Sequence, residues 1–189
     1  MENADNSMRC PWCGTDPLYV AYHDAEWGRP VTDPRQLFEL LILESFQAGL
    51  SWITILRKRA AFRAAFRGFD PAILAGWGEE DVQRLLADPG IIRHRGKIEA
   101  TLRGARAYLR LEAGPGFSGF LWSFVGGQPV VNRPARMAEV PAESPASQAM
   151  SRALKQEGFS FVGPKITYAF MQASGMVNDH LASCPSSPG

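Results

Sequence analysis

The sequence predicts an all-α domain, and three observations carry that expectation. Apolar residues recur at spacings of three and four over most of the 189 residues. Helix-opening signals, an Asp or Ser just before a proline or an apolar run, precede those stretches. Convincing runs of alternating apolar and polar residues, the mark of half-buried strands, are absent.

The elements follow in chain order. Asp16 can cap a first helix with Pro17 at its first position. Within "DPLYVAYHDAEWG", helical spacing puts Tyr19, Tyr22 and His23 on one side, with Trp27 four residues beyond His23. Asp33-Pro34 opens "DPRQLFELLILESFQ". A break at Ala48-Gly49 leads to Ser51, which can cap "SWITILRKRAAFRAAF". Residues 79–88 form a short helix, and another starts near Arg95 and runs to about Glu112. "GFSGFLWSFVGG" reads as a short buried helix. "SPASQAMSRALKQEGF" starts at a capping residue and stops at Gly158. "GPKITYAFMQASG" is a last helix, its apolar stripe formed by Ile166, Ala169, Phe170 and Ala173. Seven or more helices without a clear linker imply one domain over residues 8–184, built as two closely packed lobes. Residues 1–7 and 185–189 read as flexible ends.

Composition narrows the class. Hydrophobic residues make up 46% and charged residues 21%, an ordinary globular balance. No apolar run reaches eighteen residues, and "MENADNSMRC" lacks the apolar stretch of a signal peptide. Three cysteines is an odd count, so metal or free thiols are favoured over disulfides, and a cytoplasmic location is expected. A monomer is expected, because no large apolar stripe is left over. The net charge of +1 does not by itself point to nucleic acid. From Arg93 to Arg110, however, Arg93, Arg95, Lys97, Arg103, Arg106 and Arg110 face one acid, Glu99. Such a local basic face can bind phosphate, or can simply be a solvated helix surface.

Three constellations carry chemistry. Cys10 and His23 lie near the start, and His180 and Cys184 at the end. Two thiolates and two imidazoles suit a closed, tetrahedral, structural zinc site that would tie the ends of the chain together. Cys13 in "CPWC" offers an alternative fourth ligand with Cys10, His180 and Cys184. A redox use of that Cys-x-x-Cys would need a strand-helix-strand setting that this sequence lacks.

The second constellation is the turn "DPGIIRHRGKIEA", residues 88–100, between two helices. Gly90 and Gly96 flank it, Ile91 and Ile92 anchor it, and Lys97 sits beside the amides that open the second helix. Free amides, a helix N-terminus and positive charge suit phosphate, which is contacted without reading sequence. The plain alternative is an ordinary helix-turn-helix corner.

The third is a carboxylate in an apolar place. Leu37, Leu40 and Leu41 mark a buried stripe, and Glu44 falls on it. Burying a carboxylate is costly unless something satisfies it, so Glu44 is either a partly exposed helix-end residue or the acid of a binding pocket. Trp12, Tyr19, Tyr22 and Trp52 could wall a flat slot for a ring.

Five blocks in order, "DPLYVAYHDAEWG", "ESFQAGLSWITILRKR", "GIIRHRGKI", "WSFV" and "NDHLASC", make the chain resemble the bacterial 3-methyladenine DNA glycosylase I family from about Arg9 to Cys184. The resemblance implies the all-α helix-hairpin-helix DNA glycosylase fold and excision of 3-methyladenine from alkylated double-stranded DNA. It also implies a structural Zn2+ held by Cys10, His23, His180 and Cys184, with Cys13 left as an extra thiol. By the same resemblance Trp12, Tyr19, Tyr22, Glu44 and Trp52 form the base pocket, with Glu44 carrying the catalytic or base-binding role. Gly49 would lie near the sugar, and Leu50 would be the wedge that fills the gap left by the flipped base. Gly90, Arg93, Arg95, Gly96 and Lys97 of the hairpin would grip phosphates. Related glycosylases place an Asp beyond the hairpin; here "ARAYLRLEAGPG" has none, and its acid, Glu112, reads as a helix-end residue. No lyase lysine is evident, so a monofunctional enzyme that leaves an abasic site is expected.

Overall fold

In the computed structural model, which describes residues 9–187, helix α2 (Pro34–Gln47) runs through the core and the other elements are laid around it. Helix α1 (Pro17–Ala25) precedes it, and α3 (Trp52–Ala65), α4 (Pro71–Ala75), α5 (Glu79–Ala87) and α6 (Arg95–Glu112) follow. Helices α7 (Phe117–Trp122), α8 (Pro145–Glu157) and α9 (Pro164–Ala173) complete the helical set among the described residues. The expected flexible segment 1–7 lies outside the described residues. Of 185–189, residues 185–187 form a turn in which the Ser187 amide donates to Cys184 O (2.9 Å), and the last two residues lie outside.

Local chemistry sets the helix starts. The Asp16 carboxylate accepts from the Leu18 and Tyr19 amides, and the Asp33 carboxylate from the Gln36 amide. Ser51 stands at the cap position of α3, but its hydroxyl pairs with the Thr54 hydroxyl at 2.8 Å and caps no amide. Ser144 and Ser147 cap α8 reciprocally, and Gly158 ends it at φ +103°. Helix α4 was not foreseen; Asp70-Pro71 opens it with the same signal as α1, yet five residues are too few to show a period.

Helix α2 packs on α3, α6 and α9, burying Leu37, Phe38, Leu41, Ile42, Leu43, Glu44, Ser45 and Phe46. Phe62, Phe66, Phe69, Phe117 and Phe170 close the core around it. The stripe expected on α9 is rotated. Phe170 and Ala173 are buried as expected, but Ile166 and Ala169 are only half-buried, and Thr167, Tyr168 and Met171 turn inward instead. The reason is polar satisfaction. The Thr167 hydroxyl donates to Val162 O (3.2 Å) and the Tyr168 hydroxyl to the Asp179 carboxylate (2.7 Å), so both can be buried.

Among the described residues there is also one small sheet. Strand β1 (Val130–Val131) pairs in parallel with β2 (Val177–Asn178). Two residues per strand cannot display alternation, so no local pattern announces them. The pairing fixes the segment that leads to His180. Gly175, at φ +69°, lets that segment meet residues 29–30 at a distance no side chain allows: an added Cβ would lie 2.2 Å from Arg29 C.

Candidate active site and metal centre

A cavity of about 300 Å³ opens between α1, α2, α3 and α9. Trp12, Tyr19, Tyr22, Trp27, Glu44 and Trp52 form its inner part, and Gln47, Lys165, Tyr168 and Gln172 line it further. Trp12 packs edge-on against Tyr19 (5.1 Å) and Trp27 (4.9 Å), and Tyr22 tilts against Trp52 at 5.5 Å. Each ring is thus held by another, and the slot keeps its shape without a ligand. The indole N–H groups of Trp12 and Trp52 are buried without a partner among the described residues.

Glu44 reaches this cavity from the buried face of α2. Its residue is 4% exposed, and among the described residues no hydrogen bond or ion pair engages its carboxyl. Burial pushes its pKa up to about 8. Burial and the nearby Glu44 also push the Tyr22 and Tyr19 hydroxyls up, so both stay protonated donors at neutral pH. The cavity therefore offers aromatic faces, hydroxyl donors and an acid that would gain from a cationic or donor-rich guest.

The turn after α2 exposes an apolar tip. Ala48 (φ −49°, ψ 116°) and Gly49 (φ +83°) form a type II turn closed by the Leu50 amide donating to Gln47 O at 2.7 Å. The Gln47 side-chain amide closes it a second time onto Leu50 O at 2.8 Å. Leu50 at its end is 40% exposed. The hairpin between α5 and α6 stands beside it. The Asp88 carboxylate accepts from the Gly90 amide (2.7 Å), and Lys58 of α3 donates to Pro89 O and Gly90 O. His94 caps α6 through Nδ1, which accepts from the Lys97 amide at 3.2 Å.

Beneath the pocket lies a metal-type cluster. Ligand atoms of Cys10, His23 and Cys184 all lie within 4.8 Å of one another, and all three residues are buried. The Asp24 carboxylate, 2.7 Å from His23 Nδ1, can only accept, so it holds the proton there and leaves Nε2 as a bare lone pair 3.5 Å from Cys184 Sγ. His180 repeats the arrangement. Its Nδ1 faces Asn178 Oδ1 at 2.9 Å, the Asn178 amide nitrogen being spent on Gly28 O, and its buried Nε2 has no partner among the described residues. The His180 ring stands 4.9 Å from that of His23, and burial lowers its pKa to about 4, so the imidazole is neutral. Burial raises the Cys10 thiol, whose sulfur accepts from the Leu181 amide at 3.4 Å. Cys13 turns aside, its thiol donating to Cys10 O at 3.2 Å. His180 is not among the three residues whose ligand atoms gather within that distance, but two buried sulfurs with the bare Nε2 of His23, and the neutral ring of His180 next to that of His23, are a donor set that fits a soft divalent ion.

These features coincide with a known pattern: a family profile for methyladenine glycosylases matches residues 12–187. The chain belongs to the methyladenine glycosylase family. It is 56% identical over 182 residues to the DNA-3-methyladenine glycosylase 1 of Escherichia coli K12, covering 96% of this chain and 97% of that protein. A crystal structure of a 3-methyladenine DNA glycosylase I superposes with a TM-score of 0.94 at 55% identity, covering 95% of this chain and all of the other. The Staphylococcus aureus 3-methyladenine DNA glycosylase I, solved to explain its recognition of 3-methyladenine, matches at a TM-score of 0.92 and 41% identity, over 95% of this chain and 96% of that one.

In this methyladenine glycosylase, all five residues expected in the pocket do line one cavity. Trp27 was not assigned there, although its place four residues after His23 carried the signal. Gln172, Tyr168 and Lys165 come from α9, some 120 residues away from α2, and no local pattern could name them. The hairpin needs a correction. Lys97 does not present its charge to solvent: it is buried, and its ammonium donates to Phe46 O (2.8 Å) and Ala48 O (2.7 Å). The carbonyls that end α2 lack helical partners and draw it inward. Arg95 is exposed but engages Glu79 and Glu99, while Arg93 is exposed with no ion pair among the described residues.

Proposed function

We propose that this chain is a monofunctional DNA glycosylase that removes 3-methyladenine from alkylated duplex DNA and leaves an abasic site. The observation that carries the reading is Glu44, a buried carboxyl without a protein partner in an aromatic cavity of about 300 Å³. That volume suits a purine ring rather than a nucleotide chain. A base reaching it has left the duplex stack, and a damaged, poorly paired base is the cheapest to extrude. Leu50 fills the gap it leaves, Gly49 lies by the sugar, and the hairpin with Gly90, Arg93, Arg95 and Gly96 meets the phosphates.

N3 methylation gives the nucleobase a positive charge. Tyr22, Tyr19, Trp12 and Trp52 present faces and edges to that ring, and Glu44, ionised by the incoming cation, accepts hydrogen bonds from the adenine edge. When the N-glycosidic bond breaks, its electron pair passes to the ring and cancels the charge. Water adds to the sugar carbon, and its proton leaves to solvent. The chain supplies no base for that water from the 105–116 segment, since Glu112 accepts from the Phe117 amide at 2.8 Å and holds the start of α7. Selectivity then rests on pocket fit and on a bond already weakened by the charge.

The domain is read as one unit over residues 8–184 with the helix-hairpin-helix architecture, acting as a monomer on double-stranded DNA in the cytoplasm. Among the described residues no helix is long and apolar enough to cross a membrane. Zn2+ is assigned to Cys10, His23, His180 and Cys184. Four protein ligands would leave no open position on the ion, so it would supply structure, not chemistry, and would join the segment of α1 to the C-terminal turn. Tyr22 lines the pocket and its neighbour His23 belongs to the ligand cluster, so an ion held there would also steady the pocket wall.

The test is direct. Purified protein is incubated with DNA treated with a methylating agent, and the released bases are separated by chromatography. Release of 3-methyladenine with 7-methylguanine retained is expected. A folded protein that releases no base would point to a zinc-stapled, non-catalytic DNA-binding domain instead.

A further inference from the structure

Lys97 is the one hairpin cation whose charge is spent inside the protein. It sits on the first turn of α6, and its amide is capped by His94. Its ammonium lies at the other end of a different helix: it donates to Phe46 O at 2.8 Å and Ala48 O at 2.7 Å, the last turn of α2 and the residue just after it. Those carbonyls form the negative end of α2, where a cation is favoured. The ring of Phe161 stands 5.8 Å from Nζ, in a loop residue held at φ +58°, an uncommon backbone state for an aromatic. The turn between the two anchored carbonyls and α3 is the one that carries Gly49 and Leu50. Glu44 lies two residues before Phe46 on the same helix.

We propose that Lys97 is a positioning residue: its ammonium locks the turn bearing Leu50 to the hairpin, so that the hairpin seats on the DNA backbone and Leu50 enters the duplex in one fixed register. The role rests on the glycosylase reading above. Lys97 touches neither base nor phosphate. It converts two separate contacts with the duplex into a rigid pair, and loosening such a pair misplaces the reacting centre without altering the pocket. Lysine suits the task because a single ammonium can donate to two carbonyls at once.

The experiment compares the wild type with Lys97→Met, Lys97→Gln and Lys97→Arg. Three quantities are read: the affinity for free 3-methyladenine by tryptophan fluorescence, the salt dependence of duplex binding, and the single-turnover release of 3-methyladenine from duplex DNA. In Lys97→Met, free-base affinity should stay within about twofold and the salt slope should be unchanged, since no phosphate is neutralised by this residue. Release from duplex should fall by about 100-fold. Lys97→Arg, which keeps charge and donors, should recover most of it. If Lys97→Met does not fold, Lys97→Gln keeps uncharged N–H donors and should show the same split in smaller measure. Undiminished release overturns the proposal. So does free-base affinity lost in step with release, which marks a purely structural lysine, and so does a salt slope reduced by about 1, which marks a phosphate contact. A wild type that releases nothing from duplex overturns the glycosylase reading itself, and this role with it.

Discussion

His23 Nε2 lies 3.5 Å from Cys184 Sγ, although 161 residues separate them in the chain. Each step away from that contact is specified. Asp24 fixes the proton on the far side of the His23 ring, and Arg9 in turn holds Asp24 at 3.0 Å. Next to His23 on the same short helix, Tyr22 lines the aromatic cavity. Closing the chain at this point therefore also sets one wall of the pocket.

Metal content tests that closure. Elemental analysis of the purified protein should find about one zinc per chain. His23→Ala should abolish it and lower the melting temperature by about 10 °C, because ion binding is coupled to folding while a large core remains to hold the rest. Cys13→Ser should change neither quantity, since the Cys13 thiol donates to the Cys10 carbonyl and is not one of the three gathered ligands. Zinc retained by His23→Ala would refute the ligand set.

Glu44 sets a pH dependence of stability. Its folded-state pKa of about 8 lies above the ordinary 4.5. Between those values the folded chain keeps a proton that the unfolded chain has lost, so the group's contribution is full below pH 4.5 and falls away as pH rises through about 8. The loss has an upper bound of about 5 kcal/mol. Glu44→Gln removes this slope. Thermal melts should show the variant gaining on the wild type from pH 6 to pH 8.5, while base release drops roughly 100-fold and duplex binding survives. A gap between the two proteins that does not change with pH would mean Glu44 is hydrated or paired.

Gly49 and Leu50 should separate stability from activity. Gly49→Ala meets no atom within 4 Å of the new Cβ, so its cost is conformational: φ is +83°, and about 1–2 kcal/mol is expected in urea melts. Leu50→Ala, at an exposed tip, should leave the melt unchanged within about 0.5 kcal/mol. Both should slow release from duplex DNA in single-turnover assays. Normal release by Leu50→Ala would remove the wedge role.

Asp179 is buried and accepts from Asn132, Tyr168 and Gln172 at 2.7, 2.7 and 2.8 Å. Tyr168 and Gln172 line the cavity. Asp179→Ala strands three donors, and a loss of about 3 kcal/mol or more is expected by denaturant titration, with weaker binding of free 3-methyladenine. Unchanged base affinity would confine Asp179 to the fold.

Lys165 stands exposed on the cavity wall, the one lysine there among the described residues. Borohydride trapping on lesion-bearing DNA should yield no covalent adduct, as a monofunctional hydrolase requires. An adduct that disappears in Lys165→Ala would make the enzyme bifunctional.

Much of this was legible in one dimension because it depends on neighbours in sequence. Asp16-Pro17, Asp33-Pro34 and Ser144 announce helices through hydrogen bonds that span two or three residues. Glu44 stood out because helical periodicity alone puts it among Leu37 and Leu41, and the five expected pocket residues do share a cavity. The rotated face of α9 was not legible: whether Thr167 and Tyr168 can be buried depends on Val162 O and Asp179, which the local pattern does not contain.

The sequence by itself determined every helix but the five-residue α4, the acid on the apolar stripe and the candidate ligands at the two ends, since caps and periods are short-range. Only the tertiary structure decided where charges and lone pairs point. It turned Lys97 from the hairpin surface onto the carbonyls of α2, set Asp24 and Asn178 behind the two histidines, and brought α9 across the pocket. A hydrogen bond is decided by a partner within about 3 Å, and here those partners lie as far as 161 residues away along the chain.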